Sequence, residues 1–329
     1  MSTTPASATV VAEFPKTTML ENLAVRADGS VLVVASPNRQ IWYVPAATDG
    51  ASSEPILLHT LPEGQLAQSL IETEPDVYYV YTYGVAVMLR LDLRGWSPGQ
   101  PITPPTTVLR FEAPAGPNGS ALIGPGVMLV ADCVEGLIWR VDLAADGLSA
   151  TSRVWYQHDS MAAGGGRPPV RFADGSEVPF PGINGLAYGP KTQHVYWTTS
   201  SQDVFMRVGI DPQTLEPVGD AEYLGKVVNC DDLCLDEDSG VAYITRHPDH
   251  IIQRMPLAPD SSAPGPANVL GDPFTYDFIG PTSIDWGRGQ DDYGRVAYIP
   301  TDGGVIKLAP DGELRPARLV RMEISRETS

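Results

Sequence analysis

The chain is predicted to be all-β, a six-bladed β-propeller with four-stranded blades around a central channel. Three observations predict it. A strand–turn–strand pattern recurs six times, most copies are followed by a third strand-like run, and 32 Gly and 31 Pro are scattered along 329 residues as turn formers. The copies start at Glu21 (ENLAVRADGSVLVVA), Gln68 (QSLIETEPDVYYVYT) and Asn118 (NGSALIGPGVMLVAD). They continue at Asn184 (NGLAYGPKTQHVYWT), Asp231 (DDLCLDEDSGVAYIT) and Thr282 (TSIDWGRGQDDYGRVAYIP). A period near 50 residues with three or four strands per unit marks a propeller, because one such sheet cannot bury both faces alone.

Each copy opens on a polar residue followed by a short apolar strand. Leu23 and Val25, Leu186 and Tyr188, and Leu233 and Leu235 alternate with the smaller Ala24, Ala187 and Cys234. That period of two is the mark of a strand with two different faces. Third strands are expected at QIWYV, VMLRLDL, LIWRVDL, VFMRVGI and IIQRMPL. How the ring closes is left open by the sequence, with TVVAEF (residues 9–14) beside ARLVRMEI (residues 317–324) as a candidate closing strand. The whole chain is expected to form one domain, residues 1–329.

In a propeller the first strand of each blade lies innermost, and its first residues line the channel mouth. Glu21, Gln68, Asn118, Asn184, Asp231 and Thr282 are therefore expected to form one converging polar ring. Turn propensity explains Asn and Asp at strand starts, but not Glu or Gln in the same register.

The one long spacing, from Asn118 to Asn184, marks an insertion at residues 155–181. Gly164-Gly165-Gly166 is its expected hinge, and Trp155, Tyr156 and Phe180 are expected to roof the channel as a lid. His158 is its candidate acid–base group. No Gly-Lys-Ser/Thr follows the glycine run, so it is not a phosphate loop. In TRHPDH, Arg246 is expected at the mouth as an oxyanion holder, whereas His247 and His250 read as surface histidines. Tyr81, Tyr83, Tyr276 and Phe278 fall near blade mouths and are expected to give an apolar wall.

A net charge of −18 opposes phosphate backbones and anionic membranes, so neither nucleic acid nor a membrane is an expected partner. No segment has the roughly 18 apolar residues needed for a span, and MSTTPASATVVAEFPK lacks a signal-peptide pattern, which points to the cytoplasm. Cys133, Cys230 and Cys234 read as reduced thiols in strand cores, with a Cys230–Cys234 metal pair as the minor alternative.

On ENLAVRADG, GINGLAYGP and CDDLCLDEDSG the sequence resembles the SMP-30/gluconolactonase-like six-bladed propellers over about residues 15–310. The resemblance implies one divalent cation, usually calcium, on Glu21, Asn184 and Asp231, with no organic cofactor. Two carboxylates and a carboxamide are hard oxygen donors suited to such an ion. It also implies Asp231, with the neighbouring Asp232, as general base. Gly116 stands where the family carries an arginine that holds sugar acids.

The stretches PNGSALIGPGVMLVADCVEGLIWRVDL, INGLAYGPKTQHVYWTTSSQDVFMRVGID and GPTSIDWGRG are similar to a fungal natural-product branch. That branch includes hetero-Diels–Alderases of tropolone–sesquiterpenoid pathways. The first expectation is therefore a pericyclase joining a quinone-methide-type partner to a terpene alkene, both apolar small molecules. The alternative is a metal-dependent lactone hydrolase, and a non-catalytic binding platform comes third.

Overall fold

The computed structural model describes residues 6–46, 52–112, 114–171, 177–259 and 262–325. Among them are six four-stranded antiparallel sheets, the blades of a propeller. The innermost strands are Leu20–Val25, Gln65–Glu74, Pro117–Gly124, Ile183–Gly189, Cys230–Asp236 and the short Asp285–Trp286. Successive inner strands touch one another, and the sixth touches the first, so they enclose an axis. Blades 1 to 5 run outward in chain order. Blade 6 is closed by the N-terminal strand Ala6–Lys16, which pairs antiparallel with Pro316–Ile324 as its outermost strand. The candidate TVVAEF/ARLVRMEI pairing is thus the one that closes the ring, joining strands distant in sequence in one blade.

Six apolar clusters fill the six gaps between blades. Leu23, Val25 and Val33 of blade 1 pack with Tyr298 and Leu319 of blade 6, while Ala24 and Leu32 face Leu70 and Val80 of blade 2. Leu186 belongs to the blade 3–4 cluster, and Leu233 and Leu235 to the blade 4–5 cluster, with Cys234 on the opposite side. Alternation along each strand therefore assigns successive side chains to different neighbouring blades. Burying one such Leu or Val contributes about 1.5–3 kcal/mol, which is why no blade stands alone.

The insertion begins later than its spacing predicts. Trp155 and Tyr156 lie in the fourth strand of blade 3, Ala150–Gln157, and pack toward Trp197 of blade 4. After it come a short helical turn, Asp159–Met161, and a two-stranded hairpin, Val170–Arg171 with Glu177–Val178. Among the described residues no helix is long and apolar enough to cross a membrane.

Candidate functional site

A local irregularity repeated in blades 1 to 5 builds the ring. Leu20 pairs with Ala35 but Asn22 with Val34, so Glu21 is an extra residue in its strand. The same one-residue shift falls at Gln68, between Pro117 and Ser120, between Ile183 and Leu186, and between Cys230 and Leu233. A bulge leaves its extra residue out of the ladder and re-aims its side chain. Here it turns Glu21, Gln68, Asn118, Asn184 and Asp231 onto one cavity of about 420 Å³.

A second set of residues frames the same cavity. Ser36, Tyr83 and Cys133 stand 15 positions after Glu21, Gln68 and Asn118, and Ser200 and His247 stand 16 after Asn184 and Asp231. All five lie at or just beyond the end of a blade's second strand, beside the first-strand bulge. Above them the walls are apolar, with Met19, Leu66, Val134, Phe180 and Ile306 among the lining residues. Lys307 is the one lysine or arginine among the described lining residues.

The floor is acidic and tightly bonded. Gln68 Nε2 donates to Glu21 Oε1 at 2.9 Å. Asn184 Nδ2 donates to Ser200 Oγ at 3.0 Å, and Ser200 Oγ donates to the Cys230 carbonyl at 2.7 Å. His247 Nδ1 lies 3.4 Å from Asp231 Oδ2, and its Nε2 lies 3.1 Å from Oδ2 of the buried Asp302. Burial, then Asp231 and Asp232, raises Glu21 well above the usual carboxylate range. Burial also lifts Asp231 to about 7, against the lowering effect of His247. Burial alone would lower His247, but Asp302 and Asp231 outweigh it and raise its pKa. Two carboxyl groups and an imidazole, all with raised pKa values, thus share one cavity floor.

The donor set fits a hard divalent cation. Glu21 and Asp231 are buried on the cavity floor with Asn184, and the charge of Asp231 disfavours ionisation of Glu21. A cation between them would relieve that repulsion, with the carboxamide of Asn184 completing three protein ligands. No cluster of three or more His, Cys, Asp or Glu with metal-site geometry occurs among the described residues, so the carboxamide would be essential.

Several expected site residues lie elsewhere. Arg246 turns away from the cavity, with Nε donating to the Val228 carbonyl at 2.9 Å and the guanidinium paired to Asp249. Its strand ends there and the turn His247–Asp249 carries His247 inward instead, so the histidine expected at the surface is the cavity residue. His250 is fully buried. His158 caps the turn after blade 3, its Nδ1 bonded to Ser160, and does not line the cavity. Trp155 Nε1 donates to the Leu215 carbonyl between blades, with the Tyr156 ring tilted against it, so neither roofs the channel.

Tyr276 is exposed under Arg315, Phe278 is buried between blades 5 and 6, and Tyr81 is buried against Met128. Thr282 is buried with its hydroxyl donating to the Pro300 carbonyl, which leaves the ring with five members instead of six. Asp232 points along the channel, where Oδ2 accepts from Asn22 Nδ2 and Ser283 Oγ. It lines a separate cavity of about 750 Å³. Tyr83 and Phe180 do line the first cavity, and Arg167 stacks over Phe180 at 4.9 Å. Cys133, Cys230 and Cys234 are buried free thiols.

His247, Asp302, Ser200 and Lys307 are the cavity or floor residues that the strand-start pattern does not reveal. For Ser200 and His247 a signal exists, the constant offset of 15 to 16 residues from the ring positions.

No family model and no curated protein sequence matches the chain. Solved structures do match in fold. A luciferin-regenerating enzyme superposes with a TM-score of 0.66 at 14% identity, covering 97% of this chain and 95% of its own. Regucalcin from Agrobacterium tumefaciens, a calcium-binding protein, gives 0.63 at 14% identity over 99% and 98% of the two chains. A putative gluconolactonase gives 0.61 at 14% identity over 97% and 92%. At these identities the likeness establishes a shared propeller architecture along nearly the whole chain.

Proposed function

We propose that the chain is a small-molecule enzyme working by proton transfer on a largely apolar substrate with an oxygenated head. The observation that carries this reading is the Asp302–His247–Asp231 array at the floor of an apolar-walled cavity. The body of the substrate would sit against Leu66, Tyr83 and Phe180, and its oxygens would meet Gln68, Asn118 and Asn184.

The reaction class that fits best is hydrolysis of a lactone or ester. His247 would take a proton from the attacking water, Asp302 would steady the imidazolium, and the proton would then pass to the leaving alkoxide. A divalent cation on Glu21, Asn184 and Asp231 would supply polarisation of the substrate carbonyl. A putative gluconolactonase is among the structural neighbours, which supports this class, and the calcium-binding regucalcin supports the cation. Sugar acids are poor candidates for the substrate. A Cβ at Gly116 would already lie 2.6 Å from Val134 and 3.0 Å from Tyr83, so no arginine fits there.

A second reading, cycloaddition of a quinone-methide-type partner with a terpene alkene, is favoured by the apolar walls. Protonated Glu21 or Asp231 would then hydrogen-bond the developing oxygen, and orientation alone could supply roughly 7–11 kcal/mol. One experiment separates the two. Purified protein is offered a panel of apolar lactones, with acid release followed by pH-stat, and then quinone-methide and alkene pairs. Lactone turnover lost in His247→Gln supports hydrolysis. No turnover on the lactones but a single stereoisomer from a pair moves the assignment to cycloaddition. Inertness toward both sinks the proposal.

A further inference from the structure

We propose that Asp302 is the positioning residue that holds His247 as its Nε2–H tautomer and so presents Nδ1 to the cavity. The inference rests on the proton-transfer reading of the site and identifies what orients its base. Asp302 is 1% exposed, and its carboxylate takes donors from two places. Gly304 N donates to Oδ1 at 2.7 Å, while Oδ2 takes Ile306 N at 2.9 Å and faces His247 Nε2 at 3.1 Å.

Backbone N–H groups cannot reverse their role. With two of them aimed at the carboxylate, both oxygens are held as acceptors, and the ring nitrogen that faces Oδ2 at 3.1 Å, Nε2, is the one that should carry the proton. Nδ1 is then left bare on the side of Asp231 and the cavity.

The seat itself is rigid. Asp302 N donates to the Gly280 carbonyl at 2.8 Å, and Gly280 N donates to Nδ1 of the buried His250 at 3.1 Å. A Cβ at position 280 would fall 1.8 Å from Asp302 Oδ1, so the glycine, at φ 68°, is required for this approach. The loop that supplies the two amides also places Ile306 and Lys307 on the cavity wall. The base and the mouth of the site are thus anchored to one carboxylate.

The test reads the ring directly and needs no substrate. The protein has five histidines, so two-bond ¹⁵N–¹H spectra of ¹⁵N-labelled protein, recorded at rising pH until the His247 ring carries a single proton, are tractable. His247→Gln identifies the resonances by their loss. The expected result is a protonated Nε2 and a bare Nδ1 for His247. In Asp302→Asn the carboxamide offers Nε2 a donor, so the pattern should reverse to Nδ1–H, as is expected when a positioning carboxylate becomes an amide.

A wild-type ring carrying its proton on Nδ1 would overturn the proposal, and so would an unchanged tautomer in folded Asp302→Asn. Should that variant fail to fold, the wild-type tautomer decides alone. The expected tautomer in a protein that turns over no lactone would sustain Asp302 as positioning residue while removing the hydrolytic assignment.

Discussion

Gln68 Nε2 reaches Glu21 Oε1 at 2.9 Å across 47 positions of chain, joining the ring residues of blades 1 and 2. The bond fixes one oxygen of a buried carboxyl whose pKa is held up by burial and by Asp231 and Asp232. A carboxyl so placed is stabilised by whatever neutralises it, either a proton or a cation.

Calcium is accordingly expected to stabilise the protein. A ligand that binds the native state alone at a hundredfold excess over Kd adds about 2.7 kcal/mol. Thermal melts after EDTA dialysis, with and without added calcium, should show a rise in Tm that is absent in Glu21→Gln and Asn184→Ala. An equal rise in those variants would remove the ion from this site.

Asp285 makes a pH prediction of definite sign. Burial lifts its pKa from 3.8 to about 6, opposed by a bond from the Trp286 amide and aided by Asp232. A raised carboxyl binds its proton more tightly in the native state than in the unfolded state. Its contribution is therefore neutral below about pH 4 and becomes a cost as pH rises through about 6, reaching about 2–3 kcal/mol. Asp285→Asn keeps an acceptor for Trp286 N, so it should stabilise the protein at pH 7.5 and change little at pH 4. Urea melts at the two pH values check this, and a variant less stable at pH 7.5 would refute it.

Arg246 is assigned to the fold and His247 to the chemistry. Arg246→Ala breaks the pair with Asp249 and the bond to the Val228 carbonyl, at about 2–4 kcal/mol, since both side chains keep some solvent contact. Losing a general base costs typically 10²–10⁴-fold in rate, and His247→Gln should do so with a near-native Tm. Rates and melts on both variants distinguish the roles. A large rate loss in Arg246→Ala at temperatures where it is folded would restore the arginine to the site.

The propeller was legible because its signal is additive. Six copies of a two-faced strand pattern, with Leu23 on one side and Ala24 on the other, each report the same packing. The ring was legible for the same reason, except at Thr282, where the sixth inner strand shrinks to Asp285–Trp286 and the hydroxyl is absorbed by Pro300. The second set of floor residues was not read because its members share no chemistry. Ser36, Cys133 and His247 are alike only in offset from the bulge, and which way Arg246 and His247 point is decided by the turn His247–Asp249. Asp302 is recognisable only through two nearby backbone amides in an irregular loop and the His247 ring brought to it from another blade. Trp155 was misplaced because the outer strand of blade 3 has an exposed face and no apolar alternation of its own.

The Asn-Gly pairs at the starts of blades 3 and 4 give the last prediction. Inner strands crowd toward the axis, and a Cβ at Gly119 would lie 2.5 Å from the Asn184 carbonyl oxygen and 2.8 Å from Leu186 N. A Cβ at Gly185 would lie 2.7 Å from Asp232 Cα. The obstacles are backbone, which cannot rotate aside, so neighbouring blades must separate. Gly119→Ala and Gly185→Ala should each cost about 1–3 kcal/mol or more and disturb the ring carboxamide beside them. Gly265→Ala is the control, since nothing lies within 4 Å of its added methyl and its φ is not left-handed, so it should be neutral or slightly stabilising. Denaturant midpoints of the three variants decide the matter. Wild-type stability in both channel variants would mean that the asparagines are followed by glycine for turn geometry and not for the close approach of the inner strands.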